Sequence, residues 1–221
     1  MSKEREQNKV KNWKQFLIEN KTVNDFTEKE IDIIFYDAKK YITENNITEN
    51  HYHNNKHMLD VFKNSMMLFN EYKDEYELKI IDKVCLGLAA LFHDYNHSGG
   101  KLKDDENIEI ALDELEKYLN IIDKNYLYSD IEKIIKVTEY PHKDVDLDIL
   151  QKIIRDADTI GGVIEGWESV VKSLAKEYNK SLKDFIPTQI KFIENVKFNT
   201  DYCNNLLKNN KKEIIEKLKN M

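Results

Sequence analysis

Residues 84–94 read VCLGLAALFHD. The run is apolar nearly all round, so as a helix it has no face to offer water and must be covered on every side by its neighbours. The chain around it has only six Gly and two Pro, with abundant Ile, Leu, Lys and Glu, so the helix period dominates and punctuation is sparse. This predicts an all-α protein with 84–94 as its central rod. The rod ends in His93 and Asp94. A buried polar group without a partner costs roughly 2–7 kcal/mol, so both side chains must be satisfied, and a metal ion would satisfy both at once.

Working outward, helices are predicted roughly over 8–20, 27–45, 54–73, 77–94, 105–120, 128–139, 146–157, 162–179, 188–197 and 200–219, with ends uncertain by several residues. Thr27 followed by Glu30 is a capping-box pattern ahead of the apolar spacing Ile31, Ile34, Phe35, Ala38. Asp184 with Pro187 marks a break before TQIKFIENV, residues 188–196. No internal repeat or Ser/Gly-rich linker interrupts the 221 residues, which predicts one domain over 1–221.

Charged residues make up 34% of the chain and hydrophobic ones 41%, the balance of a soluble globule. A formal charge of -7 opposes a nucleic-acid partner held by a general basic surface, although a small anion can still bind where a metal supplies local positive charge. Cys85 and Cys203 lie in apolar helical contexts and form no CxxC pair, which suits reduced core thiols and a cytosolic setting. The polar start, MSKEREQNKVKNWKQF, has no apolar run suited to a signal peptide or a membrane span. The expectation is a cytoplasmic protein with no membrane partner and an undetermined oligomeric state.

Half of the six histidines fall in HYHNNKHMLD, residues 51–60. His53 and His57 are four apart and project from one face if their segment is helical from its first turn. His93 and His97 repeat that spacing, and Asp94 lies about 100° round a helix from His93, so the two can flank one ion. Asp156 or Asp158, in RDADTIGG, can close the site from another helix, and the spacing alone does not choose between them. His142, near a predicted helix end, is equally open as a site residue or a bystander. Any one of these residues alone reads better as a surface or satisfied core group, but two HxxxH spacings, one beside an Asp at the end of a buried rod, read as a metal site.

These segments carry a resemblance. HYHNNKHMLDV followed by AALFHDYNHSGG is similar to the HD superfamily of metal-dependent phosphohydrolases, in particular its cyclic-nucleotide phosphodiesterase branch. That pattern is YHNxxHxxDV, AALxHDxxHxG, an NxExA segment and a late ADL-like aspartate, matched here in order by Tyr52 to Val61, Ala89 to Gly99, ENIEIA at 106–111 and DADT at 156–159. TQIKFIENV resembles the region where those enzymes hold the base, which brings the motif core to residues 51 to about 194. Small bacterial HD phosphohydrolases are similar over nearly the same residues, and the length of this chain favours them, whereas the fuller HDYNHSGG motif favours the phosphodiesterases.

The resemblance implies a multi-helix HD-type bundle in which His57, His93, Asp94 and Asp158 hold a first ion, Zn, Mn or Fe. Asp94 would bridge to a second, Mg or Mn, and a hydroxide held by the ions would attack the phosphate. His53 would be the general acid, oriented by Glu109, and His97 would bind the attacking hydroxide or a nearby water. Glu109 reads almost as well as an exposed charge on an acidic helix. Tyr52, Gln189 and Phe192 would bind substrate, the glutamine reading the base and the phenylalanine stacking on it; Gln189 and Phe192 read equally as core residues. One departure concerns the base pocket: where the phosphodiesterases carry an asparagine three residues beyond the late aspartate, this chain has Gly161. The implied activity is opening of a 3′,5′-cyclic nucleotide to its 5′-monophosphate. The alternative is a nucleotidase on the same metal centre, with a di-iron oxygenase or a non-enzymatic nucleotide sensor as more distant readings.

Overall fold

The computed structural model describes residues 26–221, and the helix expected over 8–20 lies outside them. Among the described residues there are nine α-helices and no strand, the all-α fold the sequence predicts. They are α1 (Glu28–Asn45), α2 (Asn55–Tyr72), α3 (Ile80–Phe92), α4 (Asp104–Ile121), α5 (Tyr128–Ile135), α6 (Ile149–Thr159), α7 (Trp167–Glu177), α8 (Leu182–Asn195) and α9 (Asp201–Lys219). No helix among the described residues is long and apolar enough to cross a membrane.

The central rod is α3. Every residue from Val84 to Phe92 is buried, and α1, α2, α4, α5 and α6 all pack against it. Its single glycine has a steric reason: a Cβ on Gly87 would lie 2.4 Å from the Phe35 ring, which crosses α3 here and meets Phe62 edge-on at 4.9 Å between centroids. At the start of α1 the capping box forms as expected, with the Glu30 carboxylate accepting from Thr27 N at 2.7 Å.

Two ends depart from expectation and both matter for the site. The chain leaves the α-helix after Phe92, and Asn96 turns it with a positive φ of 53°, so His97 does not share a helix face with His93. At the other segment Asn54 is the N-cap of α2, accepting from Lys56 N at 2.9 Å and His57 N at 3.3 Å. His57 is therefore inside the first turn and His53 before it, so this pair does not share a helix face either. A third departure lies further on. Pro187 does not break the chain but sits inside α8, whose start is set instead by Ser181 accepting from Asp184 N at 3.2 Å. The break moves back to Asn179, which has a φ of 51°.

Candidate metal centre

The end of α3, the first turn of α2 and the end of α6 converge. His57, His93, Asp94 and Asp158 bring four ligand atoms within 4.8 Å of one another. His57 Nε2 is 3.2 Å from Asp94 Oδ2 and 3.0 Å from Asp158 Oδ1. His93 Nε2 is 3.2 Å from Asp94 Oδ2 and 3.5 Å from Asp158 Oδ1. The local reason for His93 is explicit: its Nδ1 donates to the Ala90 carbonyl at 2.9 Å, one turn back, which fixes the ring and turns Nε2 inward. That Nε2 is buried and has no aligned hydrogen bond. A buried imidazole nitrogen with its other nitrogen tied to a backbone carbonyl, facing two carboxylates, is the donor set of a first-row metal ligand.

The electrostatics fit the same reading. Burial opposes charge on the rings of His57 and His93, but Asp158 and Asp94 outweigh it and hold both above the ordinary imidazole range. Burial likewise opposes charge on Asp94 and Asp158, and the two imidazoles outweigh it in the other direction. Four groups that keep one another charged in a buried space form a site that a cation can enter by displacing protons.

Asp156 and Asp158 are separated by about 200° round α6, so they cannot serve one site. Asp158 faces the histidines. Asp156 is fully buried on the other side, where it accepts from Asn199 Nδ2 at 2.7 Å, Thr200 N at 2.8 Å and Thr200 Oγ1 at 2.7 Å. It fastens the start of α9.

A second group lies beside the first. His53, His97 and Glu177 also bring ligand atoms within 4.8 Å of one another. The rings of His53 and His97 stack with centroids 4.0 Å apart. His53 Nδ1 makes a short contact with Glu177 Oε1, while Glu177 Oε2 accepts from Tyr52 N at 2.6 Å and His53 N at 3.0 Å. The carboxylate thus holds both the backbone and the ring. Burial pushes Glu177 up, but the hydrogen bond and charge of His53 outweigh it and keep the group below the ordinary carboxylate range. His97 is anchored by Gly99 N donating to its Nδ1 at 3.1 Å, with Asn107 Nδ2 3.1 Å and Asp104 Oδ1 3.6 Å from its Nε2.

Glu177 therefore stands where the resemblance assigned Glu109. Glu109 is exposed on α4, close enough to Tyr128 and Lys136 to act on their charge, and it makes no contact with His53. The buried polar residue of the ENIEIA segment is Asn107, which also accepts from Ser98 N at 2.9 Å.

The substrate candidates separate. The Tyr52 ring lies 4.5 Å from that of His57 and, with His57 and Asp158, borders a cavity of about 300 Å³ between α2 and α7. Gln189 is only 4% exposed. It and Phe192 lie against Gly162, where a Cβ would be 3.5 Å from Gln189 Nε2 and 3.4 Å from Phe192 Cε1, and neither borders that cavity. His142 belongs to neither group; its Nε2 is buried with no hydrogen-bond partner among the described residues, and burial holds its basicity down.

Residues 52–102 match the family model for 3′5′-cyclic nucleotide phosphodiesterase, less than a quarter of the chain but the segment that holds Tyr52, His53, His57, His93, Asp94 and His97. No curated protein and no solved structure matches. The family match, together with the all-helical architecture, supports an HD-type, phosphodiesterase-like domain and phosphodiesterase chemistry in general.

Proposed function

We propose that the domain hydrolyses a 3′,5′-cyclic nucleotide to its 5′-monophosphate. The observation that carries this reading is the adjacency of two differently built groups: a four-ligand cluster of His57, His93, Asp94 and Asp158, and beside it a histidine clamped by a carboxylate. Such a pairing supplies both a seat for a cation and a proton donor next to it.

His57, His93, Asp94 and Asp158 would hold the first divalent ion, with Asp94 shared toward a second. Ions bound there would neutralise the phosphate and activate a water for in-line attack. The chain itself handles the proton. Cleavage of the P–O3′ bond leaves negative charge on the ribose oxygen, a poor leaving group, while the attacking water adds its oxygen to phosphorus. His53 delivers a proton to O3′ from Nε2, the nitrogen that Glu177 does not engage. Glu177 keeps the ring in place through Nδ1 and through the backbone N–H of residues 52 and 53, and the stacked His97 ring restricts its rotation.

The test is turnover of 3′,5′-cyclic AMP and cyclic GMP by the purified protein with Mn or Mg, with inorganic phosphate assayed alongside. Conversion to the 5′-monophosphate without phosphate release is the expected result. Phosphate release from 5′-mononucleotides with no action on the cyclic forms would move the same centre to a nucleotidase.

A further inference from the structure

We infer that the cavity between α2 and α7 receives the ribose and base of the nucleotide, and that the Gln189–Phe192 pair does not. The inference rests on the phosphodiester-hydrolysing reading for where the phosphate goes. Its own support is the shape and chemistry of the cavity.

The cavity begins at the ligand cluster, since His57 and Asp158 are part of its wall. It then runs along α2 to Lys63 and Asn64. At 1.5 Å of rise per residue these stand about 9 Å along the helix from His57, a span that a ribose and a base fill when the phosphate is at the cluster. A volume of about 300 Å³ is at the small end for ligand sites and suits a mononucleotide rather than a longer oligonucleotide.

The lining can read a polar ligand. Ser169 and Ser173 line it from α7, where their hydroxyls can donate to or accept from a ligand. Asn64 uses its amide nitrogen on the Ala157 carbonyl at 3.4 Å and leaves its oxygen open. Lys63 has no carboxylate partner among the described residues, unlike Lys56, which is paired with Asp60 at 2.6 Å. Gly161 stands in the wall where a cyclic-nucleotide phosphodiesterase has its asparagine. The departure in sequence therefore falls inside this cavity and widens it, while Gln189 remains behind the adjacent Gly162.

Gly161 also provides the test. Its backbone is not in the left-handed region, and a Cβ there would meet only Val170 Cγ2 at 3.6 Å, an ordinary contact, so a larger side chain grows into the cavity without backbone strain. The experiment compares wild type, Gly161→Leu and, from α7, Ser173→Leu. Each metal-loaded protein is titrated with 5′-AMP and 5′-GMP by calorimetry, and turnover of cyclic AMP, cyclic GMP and bis(4-nitrophenyl) phosphate is measured; the last has a diester but no ribose or base. In both variants nucleotide affinity should weaken by about tenfold or more, and kcat/KM for the cyclic nucleotides relative to the aryl diester should fall by a similar factor. Unchanged nucleotide affinity in folded variants, or an equal loss for both diesters, would overturn the assignment. So would wild type that binds neither mononucleotide, or a larger selective loss in Gln189→Ala than in either plug. Binding that the plugs abolish, in a wild type that opens no cyclic nucleotide, would support the cavity and refute the proposed reaction instead.

Discussion

Replacing Glu177 by Gln separates the proton-donor role proposed for His53 from the backbone hydrogen bonds around it. Glu177→Ala is the wrong instrument, because it strips acceptors from two backbone N–H groups, Tyr52 and His53, at about 1–3 kcal/mol each for donors left unsatisfied. Glutamine keeps one oxygen for those donors, while it removes the charge and puts an amide nitrogen in place of the oxygen that faces His53 Nδ1. Hydrogen bonds to an ionised group contribute roughly 1.5–3 kcal/mol and neutral ones roughly 0.5–1.5, so the stability cost is about 1–2 kcal/mol, small enough for a folded protein. The sign with pH follows from the depressed carboxylate: its contribution is present above the unfolded carboxylate range and lost as pH falls through the folded value, so the variant and wild type converge in acid. Catalytically, a positioned acid is worth about 10²–10⁴ in rate, and kcat for a cyclic nucleotide should fall by that order. With bis(4-nitrophenyl) phosphate the leaving phenolate needs no proton, and the loss should stay below about tenfold. Metal content, read by mass spectrometry, should not change, because Glu177 is outside the four-ligand cluster. Equal losses on both substrates would refute the general-acid argument. Loss of an ion would refute it differently, by making Glu177, His53 and His97 a ligand set.

Asp94→Ala should abolish both metal binding and turnover, since Asp94 Oδ2 lies 3.2 Å from Nε2 of both His57 and His93; ions retained at wild-type stoichiometry would remove it from the ligand set. Asp156→Ala should lower stability by about 2–6 kcal/mol, because the N–H groups of Asn199 and Thr200 lose their acceptor. The folded fraction should still load metal, whereas Asp158→Ala should lose it; the opposite pattern would exchange their roles. Cys85 and Cys203 are buried, and burial pushes each thiol up to about 12, so both are neutral at pH 8. Neither should react with a thiol reagent in the native protein and both should react in denaturant; fast native labelling would place one of them at the surface.

The fold was legible because its deciding feature is local. A run of nine apolar residues with no polar face specifies a covered helix whatever surrounds it, and α3 is that helix. What could not be read is set by distance along the chain. Glu177 reaches His53 across 124 residues, from a helix that also carries Glu168, and no spacing singles it out. One signal was available. Glu177 is the last residue of α7, where the helix dipole disfavours an anion, so a carboxylate in that position needs a partner elsewhere. Pro187 was misread for a different reason: proline marks a break only when nothing else caps the helix, and Ser181 had already started α8 a turn and a half earlier.

The two HxxxH spacings carry the last point. The pattern brought forward histidines that the fold gathers into two neighbouring groups, but the geometry behind it was wrong, because four-residue spacing aligns side chains only within a helix. Each pair straddles a helix end. Asn54 starts α2 between His53 and His57, and the turn at Asn96 follows the end of α3 between His93 and His97. The inner members, His57 and His93, therefore face the carboxylates of Asp94 and Asp158, while the outer members, His53 and His97, stack on each other beside Glu177. Had both pairs been fully helical, each segment would have presented one face to one group. Because both are cut by a helix end, each segment feeds both groups, and the position of the proposed proton donor, His53, relative to the four-residue cluster is fixed by the same two helix ends that place the cluster.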